Sequence, residues 1–111
     1  MTEQTIMLGK IKSCRHGSGG YDDAMWGYSF DLGSSHTGVG DFWGTWAGAR
    51  SPHAQWSEED RNLQILKNAH RVQKLMMDAK VSDFYKLVGV PVEITIEGNT
   101  LKSWRILTEV L

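Results

Sequence analysis

Cysteine is nearly absent from this 111-residue chain. A single thiol, Cys14, excludes an internal disulfide and fits a reducing compartment. Neither sign of charge is in surplus: the net charge is −1, so a general polyanion-binding signature is missing. A DNA-binding role would therefore need a local basic face. No apolar run approaches the ~18 residues of a membrane-spanning helix. The N-terminal MTEQTIMLGK lacks the basic flank and apolar core of a secretory signal. The expectation is a cytoplasmic protein with no membrane partner.

Catalytic signatures are missing too. His16, His36, His53 and His70 show no metal-ligand spacing, and Cys14 with His16 is only a lone pair. Ser34, Ser35 and Ser51 have no nucleophile-elbow context. The acidic runs have local explanations: Asp22-Asp23 suits a turn, and Glu58-Glu59-Asp60 suits a helix N-terminus. The chain is expected to be no enzyme and to hold no metal or cofactor.

What the chain does have is tryptophan, 5 residues of it, and glycine, 12. Both concentrate in residues 33–46, GSSHTGVGDFWGTW. Just before it, Trp26, Tyr28, Phe30 and Leu32 share one parity. The two runs read as a β-hairpin joined at Gly33-Ser34-Ser35. Glycine within a strand marks a bulge or a close approach. Set among indoles, it leaves gaps beside flat aromatic faces. Such a surface is a pocket floor, a partner interface or a core corner.

The remaining segments complete one domain, residues 1–111. A first strand is predicted over residues 5–13, with a bulge at Gly9 that switches faces. Residues 14–23, CRHGSGGYDD, read as a loop. They lack the lysine and following helix of a phosphate-binding loop, so a plain hairpin connection is preferred. Residues 47–55 form a second loop. Ser57 begins a capping box, and apolar spacing predicts a helix over residues 58–79. Its apolar stripe takes in Leu66, Ala69, Val72, Met76 and Ala79, widened by Leu63, Ile65 and Leu75, with His70 at its boundary and Met76-Met77 as core filler. Lys67, Arg71 and Lys74 make a short basic ridge, read as a solvated face. A second short helix over residues 83–87 is capped by Ser82 and ended by Gly89. The tail alternates around Gly98-Asn99, a type II′ hairpin turn. The fold class is α+β: an antiparallel β-sheet in the order β-β-β-α-α-β-β, packed on one long helix.

Three stretches carry a resemblance: GGYDDAMWGYSFDLGSSHTGVGDFWGTWA, WSEEDR, and the tail LVGVPVEITIEGNTLKSWRILTEVL. Together they resemble a group of small accessory proteins encoded by bacteriophages and prophages. The resemblance spans nearly the whole chain and carries no catalytic signature. It implies a host-defence antagonist. Some such proteins bind a component of a defence complex, as anti-CRISPR proteins do. Others, the Thoeris and CBASS sponges, sequester a cyclic nucleotide signal between subunits. No sponge motif maps residue by residue onto this sequence.

The leading functional expectation is a non-enzymatic protein that sequesters a cyclic-nucleotide-like signal. Its candidate ligand-binding residues are Trp43, Trp46, Arg50, Trp104 and Arg105. An indole face stacks on a base for ~1–3 kcal/mol, and an arginine fork suits phosphate. The alternatives are a protein-binding inhibitor of a host defence complex and a DNA-associated phage protein using the Lys67-Arg71-Lys74 ridge. The expected partners are a small nucleotide or a host defence protein, with nucleic acid disfavoured. A homo-oligomer is also expected, because so much aromatic area on one hairpin favours self-association.

Overall fold

The structure, a computed structural model, describes residues 3–20, 24–46 and 56–111. Five antiparallel strands form one sheet: β1 (Gln4–Gly19), β2 (Met25–Gly33), β3 (Gly38–Trp46), β4 (Pro91–Glu97) and β5 (Thr100–Ile106). Among the described residues one α-helix, α1 (Glu58–Ala79), stands between β3 and β4. The spatial order is β3-β2-β1-β4-β5. β1 is shared: Gln4 to Lys10 pair with β4, and Lys10 to Gly19 pair with β2. The first four strands thus make a Greek key, with the fourth returning beside the first.

β1 corrects two expectations. Residues 14–19 are strand, with Gly17 opposite Gly27 and Gly19 opposite Met25. Backbone groups alone complete this ladder, so the glycines mark close approach and not a loop. Residues 21–23 of the expected loop lie outside the described residues. The bulge sits at Lys12, between Ile11 and Ser13, and not at Gly9. That extra residue keeps both Ile11 and Cys14 on the core face. Gly9 makes a different close approach: a Cβ there would lie 2.8 Å from the Gly33 carbonyl oxygen. Met7 and Ile11 face the core, while Ile6 and Leu8 are left exposed on the opposite face.

The core face of β1–β3 is a set of cross-strand rows. Ile11, Leu32 and Val39 form one; Cys14, Phe30 and Asp41 the next; His16, Tyr28 and Trp43 the third. The β2–β3 connection closes with Ser34 N–H donating to the Thr37 carbonyl at 3.0 Å. It runs from Ser34 to Thr37, longer than the expected turn, and is braced by the Ser34 and Thr37 hydroxyls 3.1 Å apart.

α1 has the predicted bounds. The Ser57 hydroxyl accepts the Asp60 N–H, and Lys80 ends the helix in the left-handed region at φ 59°. Only its C-terminal half is well buried, through Val72, Leu75 and Ala79. Leu63, Leu66 and His70 are exposed, and Met77 is exposed where core filler was expected. The second helix is a four-residue 3-10 turn, Phe84–Leu87, and its cap is Asp83, not Ser82. The Asp83 carboxylate accepts the Tyr85 N–H at 2.9 Å. Gly89, at φ 90°, and Pro91 leave no room for α-helical bonding to continue. An unanticipated 3-10 turn, Thr108–Val110, follows β5. The terminal hairpin turns at Gly98, φ 62°, with Glu97 opposite Thr100, as a type II′ turn requires. No helix among the described residues is long and apolar enough to cross a membrane.

Candidate functional site

Asp41 and Trp43 are two residues apart on β3, so they share its core face. The Trp43 indole N–H donates to Asp41 Oδ2 at 2.8 Å. Trp104, on β5, donates its own indole N–H to the same oxygen at 2.7 Å. The two rings stack with centroids 5.5 Å apart and planes 21° from parallel. Phe30 tilts against both, 4.7 Å from Trp43 and 5.2 Å from Trp104. β3 and β5 are the opposite edges of the sheet order. One carboxylate therefore bridges side chains from the two edge strands of the sheet.

α1 covers this cluster from above. The Arg71 guanidinium lies 3.9 Å from the Trp43 ring centroid, a cation–π contact. Trp43 is only 6% exposed. Packed by Arg71, Trp104 and Phe30, it is a core residue and not a free stacking platform. Trp104 is half-buried. Between α1 and β5 opens a cleft of about 410 Å³, lined by Trp43, Arg71, Lys74, Asp78, Trp104, Arg105 and Thr108 among others. The helix contributes its basic side and the strand its last aromatic and arginine.

The charges around the cleft are paired at its rim. Lys74 bridges Asp78 at 2.9 Å, one helical turn on. Arg105 donates to Glu109 at 2.8 and 2.9 Å and to Glu93 at 3.3 and 3.4 Å. These bonds raise the Arg105 pKa, Glu109 contributing most. In return, the hydrogen bond from Arg105 draws the Glu109 carboxyl down to about 2. The Lys67-Arg71-Lys74 ridge is thereby broken up as a free basic face: Arg71 is laid over an indole and Lys74 is engaged by Asp78.

The residues expected at the site part company. Trp43, Trp104 and Arg105 meet at the cleft. Trp46 does not line it. It is 43% exposed and stacks on Trp56, centroids 6.2 Å apart and planes 15° from parallel. Its carbonyl accepts the Arg61 Nε–H at 2.7 Å, so it anchors the helix start to the end of β3. Arg50 lies outside the described residues, as does His53. Asp41, Arg71 and Lys74 were not expected here. The D-x-W spacing is the one sequence signal that could have found Asp41 beside Trp43; only the fold brings Trp104 to the same oxygen.

A second cluster surrounds His16. It stacks on Tyr28 at 4.3 Å and meets Trp26 edge-on at 4.5 Å, with Phe84 closing the group at 6.4 Å. The nearby Cys14 thiol donates to the Phe84 carbonyl at 3.6 Å. Burial, and then the Asp83 charge, raise its pKa, so it is held as a thiol. Among the described residues, no group of three or more His, Cys, Asp or Glu side chains is placed to hold a metal ion. Comparison with protein-family models, with curated proteins and with solved structures gives no match.

Proposed function

We propose that the chain is a non-enzymatic binding protein that sequesters a small nucleotide-like ligand. The observation that carries this reading is the cleft where Arg71, Lys74 and Arg105 converge beside the indole of Trp104. Phosphate oxygens are attractive replacements for the carboxylates now at its rim. Exposed ion pairs contribute only ~0–1 kcal/mol each, so a phosphate can displace Asp78 or Glu109 at little cost. A bidentate arginine–phosphate contact then fixes the ligand's orientation. Trp104, half-buried, is the aromatic wall for a base, while Trp43 supports it from behind. The phage resemblance supplies the setting, a host-defence antagonist whose target is a cyclic-nucleotide-like signal.

Isothermal titration against cyclic di- and trinucleotides and cyclic ADP-ribose isomers tests this. At least one should bind, quench tryptophan emission, and lose about tenfold in affinity in Arg105→Ala or Lys74→Ala, an interaction of ~1.4 kcal/mol. No binding across the whole panel sinks the reading.

A further inference from the structure

The opposite face of the same hairpin holds a larger depression, about 550 Å³, and its shape follows from the register. Arg15, Ser29 and Phe42 stand in one row across β1, β2 and β3. Ser13, Asp31 and Gly40 form the next row. The first row is large, small, large, so the sheet surface dips at Ser29. The Arg15 guanidinium folds back along β1 and donates to the Ser18 carbonyl, and the Phe42 ring leans across β2 towards Gly19, which leaves a trough beside the ring. Phe42 does not rise freely from β3. A Cβ at Gly44 would lie 2.5 Å from its ring, and one at Gly19, on β1, would lie 3.1 Å from it. The ring is thus laid over glycine backbone and held by it.

The charge along this face has one dominant sign. Lys10, Lys12 and Arg15 are exposed along β1. The Lys12 ammonium reaches across the sheet, 3.6 Å from where a Cβ would stand on Gly38. Among the described residues two aspartates line the trough, Asp31 and Asp41: the Asp31 Oδ2 takes the Ser13 hydroxyl at 3.0 Å, and the Asp41 carboxylate is turned to the indoles of Trp43 and Trp104. The near-zero net charge of the whole chain hides this local strip.

We infer that the outer face of β1–β3 binds single-stranded nucleic acid, one base stacking against the Phe42 ring beside Arg15 while Lys10 and Lys12 follow the phosphates. A linear array of cations beside an aromatic platform matches a repeating polyanion whose bases are free to stack. A duplex hides its bases, and the trough gives it no groove-reading element. This surface is separate from the α1–β5 cleft, so it stands or falls independently of the nucleotide reading.

Fluorescence anisotropy with labelled oligothymidylate of about 12 nucleotides, against a matched duplex, tests it. Wild-type protein should bind the single strand more tightly than the duplex. Its affinity should fall with salt at a log–log slope near −2, about −0.7 for each of three cations. Lys12→Glu and Arg15→Glu, both at exposed positions, should each weaken binding about tenfold or more. Phe42→Ala should do the same, provided its thermal melt matches wild type. Lys86→Ala, at an exposed position that lines neither depression, should bind as wild type does. No binding at low salt, equal binding to duplex, or wild-type affinity in both charge reversals overturns the inference.

Discussion

Asp41 is the residue on which the aromatic core turns. Its Oδ2 receives two indole N–H groups, and its Oδ1 receives its own neighbour's N–H, from Phe42, at 2.9 Å. Hydrogen bonds to a charged acceptor contribute ~1.5–3 kcal/mol each. Asp41→Ala leaves two indole donors without their acceptor and should cost about 2–4 kcal/mol in urea unfolding. Asp41→Asn keeps an oxygen in place and should cost less than Asp41→Ala. Equal loss in both variants would mean that the charge, not the acceptor, holds the indoles. The resulting picture changes the meaning of the tryptophans. Trp43 is structural, Trp104 is half structural and half available, and Trp46 belongs to the helix anchor. From the sequence all three looked alike, because parity along a strand says which residues share a face but not what covers it.

At the scale of elements, the glycines of the hairpin are the instructive case. Gly17, Gly27 and Gly44 lie opposite one another across three strands. A Cβ on Gly27 would stand 2.1 Å from the Trp43 carbonyl oxygen and 2.5 Å from the Gly44 Cα. Gly27→Ala must push β2 and β3 apart. It should destabilise the fold by about 3 kcal/mol, at the upper end of overpacking costs, as read by the midpoint of chemical unfolding. A near-neutral effect would show that the two strands separate easily. The helix and the last hairpin were legible because each carries redundant local signals. For α1 these were the Ser57 cap, the acidic first turn and an apolar period; for the tail they were strict alternation and a glycine at the turn. Residues 14–19 were not legible, because glycine signals both a turn and a close backbone approach, and only pairing distinguishes them. The short second helix was misread in its cap because Ser82 and Asp83 are equally good caps. The following Gly89 and Pro91 leave room for only one tight turn.

For the whole molecule, the β1 outer face has an apolar end as well as a basic one. Ile6 and Leu8 are 63% and 66% exposed, two residues apart on the same side. We propose that a second copy covers this patch, a different surface from the aromatic hairpin on which the sequence-based homo-oligomer expectation rested. Light scattering at high concentration should give a dimer mass, reduced to a monomer by Leu8→Lys. A strict monomer in the wild type would contradict this. The site was legible only in part for a related reason. Trp104 and Arg105 could be named from their own strand, but Arg71 and Lys74 come from a helix whose rotation over the sheet no local pattern encodes.

The carboxylate that joins β3 to β5 also sets a constraint on how the chain acquires its shape. Asp41 and Trp104 are 63 residues apart in sequence, so their bond closes a long loop. Closing such a loop is entropically costly and slow compared with forming a helix or a hairpin. During synthesis, the residues of the β2–β3 hairpin are made well before Trp104. Until Trp104 is in place, Trp43 is without its stacked partner. The nascent chain therefore waits, open along one seam, for its last strand to arrive.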